Sequence, residues 1–271
     1  MKIQNHKLIT SEGENPIEIL NSPNKGGNLT PQYLIIHYTA GASKESSVNW
    51  FMNPQARASA HVVIGMDGSI SQVVPFNKVA WHAGISRWNT LKGLNNHSIG
   101  IELDNPGRLR KVGDAYQSSF GRMYDKNLVI EARHKHEQEN AYWHIFTEAQ
   151  ITACQHLASL LVSTYELKDI LGHEDIAPFR KSDPGPAFPL ESFKAKVLGR
   201  MEDSGEIFKV NTEGTNLRTG AGTSFDSIAK LKKGTKVEYI EHSLDWNHVY
   251  VLSGTGQEKE GWIHQSLLTP A

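Results

Sequence analysis

A single cysteine in 271 residues, Cys154, excludes an internal disulfide and the paired thiolates of a structural zinc site. An excess of charge of one sign is missing as well. With 28 Lys and Arg against 29 Asp and Glu and a sequence pI near 6.9, the chain lacks the basic surplus that neutralises phosphates, so nucleic acid is a poor fit as ligand. No run approaches the ~18 apolar residues of a membrane span, and Met1-Lys2-Ile3-Gln4-Asn5-His6-Lys7 offers no apolar core of a secretory signal. As it stands this favours a cytoplasmic location, with export to the cell envelope as the alternative. His-Glu-x-x-His is also absent, which removes the helix-borne geometry of many zinc proteases. What is present, 38% hydrophobic and 21% charged residues at this length, suits one large globular domain and a small one.

Periodicity places the main elements. Tyr33-Leu34-Ile35-Ile36-His37 reads as a buried strand running into the loop Thr39-Ala40-Gly41. Ser43 to Asn53 carries Val48, Phe51 and Met52 at helical spacing behind a serine cap, and Pro54 stops it. His61 to Met66 and Ser69 to Val74 flank Asp67-Gly68, which predicts a two-residue hairpin turn. In Ser98 to Leu103, Ile99, Ile101 and Leu103 take one face and Ser98, Gly100 and Glu102 the other, so Glu102 points away from the apolar layer. Residues 107–142 are polar and glycine-punctuated, an expected inserted surface loop or lid. Thr147-x-x-Gln150 then opens a helix whose stripe of Ile151, Cys154, Leu157, Ala158 and Leu161 is expected to continue towards Gly172, and a shorter helix is expected around Glu191 to Arg200. After a polar linker at 201–206, residues 207–271 hold only short β-rich runs between glycine turns. The predicted fold is a mixed α/β domain over 1–200, a central sheet flanked by helices, followed by a small all-β barrel.

Hydrolytic zinc requires three protein ligands and an open position for water, and two histidines with one carboxylate satisfy that. His37 ends a buried strand, while His173 and Asp183 lie in a proline-stiffened loop after the long helix, so the three would converge if strand end and loop meet at one rim of the sheet. By contrast Arg133-His134-Lys135-His136-Glu137 places cations beside its histidines, and with His144 it reads as part of a solvated lid without metal ligands. His61 reads as structural, whereas Trp81 and His82, with Ala83 and Asn95, read as lining a substrate groove.

Five blocks carry a resemblance. Ile35-Ile36-His37-Tyr38-Thr39-Ala40, Ser59 to Gly68, Ala80-Trp81-His82-Ala83-Gly84, Asn95-x-x-Ser98 to Leu103, and Gly172-His173-x-Asp175 to Gly185 occur in the order seen in zinc N-acetylmuramoyl-L-alanine amidases of the AmpD and AmiD type, which the first domain resembles. The resemblance implies hydrolysis of the amide between the lactyl group of N-acetylmuramic acid and L-alanine in peptidoglycan or muropeptides. It implies one zinc held by His37, His173 and Asp183. It also implies Glu102 as general base and acid and Lys181 as stabiliser of the oxyanion, roles for which a carboxylate and an ammonium are chemically suited.

The second domain resembles the bacterial SH3-like fold through Thr215 to Phe225, Leu231 to Val237, Trp246 and Gly261-Trp262-Ile263-His264. The implied role is attachment to the cell wall, although Leu217, Val237 and Trp262 also suit plain barrel-building. Two alternatives stay open at this level: a peptidoglycan recognition protein without turnover, and a zinc peptidase cutting within the stem peptide.

Overall fold

The computed structural model describes residues 1–11, 13, 16–198 and 207–271. The expected linker at 201–206 lies outside the described residues, as does the end of the helix expected to reach Arg200. The chain divides into two compact units, Met1–Gly199 and Arg200–Ala271.

The first unit is built on a mixed sheet. In chain order its strands are β1 (Glu18–Ile19), β2 (Tyr33–Tyr38), β3 (Val62–Ile64), β4 (Ile70–Gln72) and β5 (Ser98–Leu103), and the same unit contains helix α1 (Lys44–Met52). A five-strand excursion follows, β6 (Arg108–Val112), β7 (Ala115–Gln117), β8 (Met123–Tyr124), β9 (Val129–Arg133) and β10 (Asn140–His144). The chain continues through α2 (Glu148–Tyr165), strand β11 (Asp169–Gly172), the one-turn α3 (His173–Ile176) and α4 (Leu190–Val197). The central sheet has the order β11-β2-β5-β3-β4-β1, parallel except where β3 and β4 form a hairpin.

Alternation along the central strands decides which face is core and which is site. Leu34 and Ile36 of β2 and Ile99, Ile101 and Leu103 of β5 lie in one cluster with Cys154, Leu157, Ala158 and Leu161 of α2. All of these side chains are fully buried, and area removed from water is the dominant favourable term in such a layer. The period of two then turns His37, Gly100 and Glu102 to the opposite face. Helix α2 starts with the predicted capping box, in which Thr147 Oγ1 accepts from Gln150 N–H and Gln150 Oε1 accepts from Thr147 N–H. Ser43 and Ser46 form the same device at α1.

Three expectations need correction. Helix α2 ends at Tyr165, where Glu166 takes a left-handed conformation, and the apolar run up to Gly172 is a fresh strand, β11, beside β2. A short apolar segment reads alike in strand and helix, and only its pairing decides. The β3–β4 connection pairs Ile64 with Ile70 and closes with Gly65 N–H to Ser69 C=O, so three residues, Met66 to Gly68, form the loop, with Gly68 at φ 81°. It is a three-residue hairpin rather than a two-residue one. Segment 107–142 is not an irregular loop. It forms most of an antiparallel sheet of order β8-β7-β6-β10-β9, whose strands of two to five residues are too short for a strong alternation signal.

The second unit is a seven-stranded antiparallel sheet. Its strands are β12 (Ile207–Val210), β13 (Thr215–Arg218), β14 (Ser227–Leu231), β15 (Lys236–Ser243), β16 (Trp246–Val251), β17 (Glu260–His264) and β18 (Leu268–Pro270), in the order β14-β13-β17-β16-β15-β12-β18. Val210, Leu217, Leu231, Val237, Val249, Val251 and Ile263 form its core. Trp246 and Trp262 remain half-buried, with the Trp262 ring stacked on His248 at 4.9 Å. No helix among the described residues is long and apolar enough to cross a membrane.

Candidate metal centre and cleft

Strand β2 delivers His37 at its C-terminal end, β11 runs directly into His173 at the start of α3, and the loop beyond α3 returns with Asp183. That return is close: a side chain at Gly172 would meet the Pro184 ring at 2.8 Å, so glycine there lets the loop lie against β11. The result is a triangle. His37 Nδ1, His173 Nδ1 and Asp183 Oδ2 stand 2.9 Å from one another on all three sides, and all three residues are buried. Among the described residues this is the one group of His, Cys, Asp and Glu whose ligand atoms converge in this way.

The outer nitrogens explain why the inner ones face each other. His173 Nε2 lies 3.1 Å from Ala83 C=O, which can only accept, so that nitrogen carries the proton and Nδ1 presents a lone pair. His82 Nε2 faces Ser98 C=O and Ser98 Oγ, both at 3.4 Å, and Ser98 donates its own proton to Leu94 C=O. His82 is therefore a donor at Nε2 and an acceptor at Nδ1, where His37 Nε2 approaches to 2.9 Å. His37 in turn carries its proton on Nε2 and a lone pair on Nδ1. Two lone pairs and a carboxylate oxygen at 2.9 Å call for a cation among them. The set, two imidazoles and one carboxylate, is also the donor chemistry that zinc accepts at about 2.0–2.2 Å. Burial pushes the Asp183 carboxyl up, but the two imidazoles beside it outweigh that and hold the group well below the ordinary carboxylate range. Burial, together with His173, takes the His37 imidazole down to about 4.

Glu102 pairs directly with His37 across β2 and β5, so the two side chains share the open face of the sheet. Its Oε2 is buried without a hydrogen-bond partner, and burial, reinforced by the charge of Asp183, raises its pKa to about 8 against the opposing pull of Lys181. A solvent-facing strand residue would show none of these features.

A cleft of ≈ 340 Å³ lies over the triangle, lined by Glu102, His173, Lys181 and Asp183 and by Tyr38 and Trp81 among others. Lys181 is exposed and has no ion pair among the described residues, so it is not tied to Asp183. Among the cleft residues not anticipated are Tyr38, whose hydroxyl meets Ser182 Oγ at 2.9 Å, Ser182 itself, and Arg180, which donates to Ala83 C=O and Ile85 C=O. Burial pushes the Tyr38 phenol up to about 12.

The four expected groove residues separate. Trp81 is half-buried and lines the cleft. His82 touches the cleft wall too, but it is buried and committed through both nitrogens, to His37 and to Ser98, which makes it an orienting group for His37. Ala83 and Asn95 do not line the cleft. Asn95 Oδ1 accepts from the backbone N–H groups of His82 and Ala83 and fastens the loop on which Ala83 C=O meets His173. A short polar residue near a glycine turn carries no sequence mark that separates loop-fastening from ligand contact.

His61 sits fully buried away from the triangle, donating from Nε2 to Lys78 C=O and accepting at Nδ1 from Gly100 N–H. His134, His136 and His144 are no part of the metal cluster, but the expected solvated setting is wrong for two of them. His134 is 2% and His144 4% exposed. Lys135 is paired with Glu174 and Asp175, partners some 40 positions away that spacing does not reveal.

Comparison with known proteins adds a family to this geometry. Residues 27–186, more than half of the chain, match the model of the N-acetylmuramoyl-L-alanine amidase family. The chain belongs to this amidase family. Residues 213–269 match the bacterial SH3 domain. The chain is 33% identical over 183 residues to N-acetylmuramoyl-L-alanine amidase AmiD of Escherichia coli (strain K12), a match covering 64% of this chain and 56% of AmiD. It is 31% identical over 187 residues to 1,6-anhydro-N-acetylmuramyl-L-alanine amidase AmpD of the same strain, covering 62% of this chain and 83% of AmpD. A solved structure of a selenomethionine AmpD derivative aligns with a TM-score of 0.51 at 26% identity, over 73% of this chain and 99% of that one. The amidase-family region contains the whole triangle, Glu102 and Lys181.

Proposed function

We propose that this protein is a zinc-dependent N-acetylmuramoyl-L-alanine amidase that hydrolyses the bond between the lactyl carbonyl of N-acetylmuramic acid and the amine of L-alanine, in peptidoglycan or its soluble fragments. One observation carries the reading: a buried two-histidine, one-carboxylate triangle opens into a cleft directly beside an unpartnered carboxylate. Family membership and the activity in the AmpD and AmiD names point to the same bond.

His37, His173 and Asp183 would hold one zinc per chain, whose chemistry is to lower the pKa of a bound water towards about 7 and to polarise the scissile carbonyl. Glu102 is suited to the proton work. Its Oε2 has no competing donor among the described residues, and its place in the cleft beside the triangle suits it to accept a proton and return one to the departing alanine amine. Lys181 reaches the cleft with an unengaged ammonium, suited to the charge that develops on the carbonyl oxygen. Trp81 offers an aromatic wall for the substrate. The barrel over 207–271 is read as a wall-binding module, with Trp246 and Trp262 as its half-exposed aromatic faces.

Mass spectrometry of products tests this reading, with intact sacculi and soluble anhydro-muropeptides each incubated with and without a zinc chelator. Chelator-sensitive release of peptides beginning at alanine, with a free lactyl carboxylate on the sugar, is the expected result. Cuts inside the stem peptide would establish a peptidase instead. No cleavage by zinc-loaded protein would favour a recognition protein.

A further inference from the structure

The turn after β9 does something the cleft chemistry does not use. His134, Lys135 and His136 all bond to the first turn of α3, which follows ligand His173. His134 Nε2 meets Glu174 Oε2 at 2.6 Å with both side chains buried, Lys135 Nζ meets Glu174 Oε1 at 3.2 Å, and His136 Nε2 reaches Glu174 C=O at 3.2 Å. The His134 tautomer is set by its neighbour: its Nδ1 accepts from His136 N–H, so Nε2 carries the proton and donates to the carboxylate.

Glu174 then holds the chain on both sides of the Asp183–Pro184 bond. Its backbone N–H donates to Asp183 C=O at 2.8 Å, and its Oε2 accepts from Gly185 N–H at 3.2 Å. Packing reinforces the bonds. Trp143 of β10 is fully buried, stacks against the His134 ring at 5.8 Å, and lies so near Gly185 that a side chain there would meet its ring at 3.0 Å. The excursion sheet thus presses on the loop that carries Asp183 and contributes no ligand itself. Of the three donors to the buried Glu174 carboxylate, His134 stands nearest at 2.6 Å against 3.2 Å for Lys135 and for Gly185 N–H, so the His134–Glu174 bond is the part of this contact most sensitive to change.

We propose that the excursion sheet is a brace for the metal loop, and that His134 and Glu174 are positioning residues that set Asp183 in the triangle and thereby tune the affinity of the site. This rests on the reading of the triangle as a zinc site. Residues next to a ligand's own partners typically change metal affinity by about 10–100-fold when removed.

The test uses the full-length chain, freed of metal and titrated with zinc against a chelator, and separately the Co²⁺-loaded protein, whose visible absorption reports ligand geometry. His134→Phe keeps the ring packed on Trp143 and removes the bond, and His134→Gln restores a donor at nearly the same reach. We expect His134→Phe to bind zinc at least 10-fold more weakly with altered Co²⁺ bands, and His134→Gln to recover most of both. Glu174→Gln, which keeps the acceptor and drops the charge, serves as the second variant if His134→Phe does not fold, with the same direction of effect. Wild-type affinity and an unchanged Co²⁺ spectrum in a folded His134→Phe or Glu174→Gln protein would overturn the brace while leaving the zinc site intact. Failure of the wild-type chain to bind zinc would overturn both readings.

Discussion

Glu102 and His37 are register partners on adjacent parallel strands, so the acid–base candidate and a ligand of the metal triangle are held by the same backbone pairing. The sheet fixes their separation, and no loop has to order for them to meet. This is the rigid support that a proton transfer over hydrogen-bond distance needs.

It follows that Glu102→Gln, which preserves shape and burial, should leave zinc binding intact and lower kcat by about 10²–10⁴-fold, the usual contribution of a positioned acid–base group. Steady-state turnover of a muropeptide, with metal content measured in the same sample, checks this. Unchanged turnover in a zinc-loaded variant would remove Glu102 from the mechanism.

Gly100, two residues before Glu102 on the same face, is required by His82. A methyl group at this position would come within 2.5 Å of the His82 ring, and that ring fixes the His37 tautomer. Gly100→Ala should therefore weaken zinc binding by about 10-fold or more through His82, although it touches neither ligand nor cleft. Chelator competition on the folded variant measures it, and the direct replacement His82→Ala should change affinity in the same direction.

The sequence made one half of this architecture readable and hid the other. The convergence of His37, His173 and Asp183, the serine cap at Ser43, the capping box at Thr147 and the alternation that turns Glu102 away from the core rest on local patterns or strand-end positions, and each is present in the fold. What stayed hidden depends on partners far along the chain. His82 orients His37 from 45 residues away, Asn95 secures a loop through two backbone amides, and His134 finds Glu174 across 40 residues. Polar residues of this kind look alike on a surface and in a buried network until the tertiary contact assigns them. The 107–142 excursion escaped for the related reason that strands of two to five residues hold too few alternations to register.

Acid should destabilise the first unit through its buried neutral histidines. Burial lowers His61 from 6.5 to about 4, and it donates to Lys78 C=O while accepting from Gly100 N–H, an arrangement that only the neutral ring satisfies. The folded pKa is depressed relative to the unfolded one, so for this base the stabilisation is complete above about 6.5 and is lost as pH falls towards 4. A shift of that size corresponds to on the order of 3 kcal/mol. Urea-unfolding midpoints between pH 7 and 4.5 should fall steeply in the wild type and less steeply in His61→Gln. Parallel slopes for the two proteins would count against a role for His61.

Glu102 predicts the opposite trend for the metal-free chain. Its folded pKa, about 8, lies above the ordinary 4.5, so the folded state holds this proton more tightly than the unfolded state does. That stabilisation is complete below about 4.5 and is lost as pH rises towards 8, where a carboxylate forms beside Asp183 with no donor at its Oε2. Two consequences can be separated experimentally. Glu102→Gln should flatten the decline in stability of metal-free protein between pH 6 and 8. Added zinc, whose positive charge favours the ionised carboxylate, should raise the wild-type Tm more at pH 8 than at pH 6. The control is Glu102→Gln with zinc, which retains the two histidines and Asp183 and lacks the Glu102 carboxylate. Its zinc-dependent rise in Tm should change less between the two pH values than that of the wild type, and an equal change would show that Glu102 does not carry the effect.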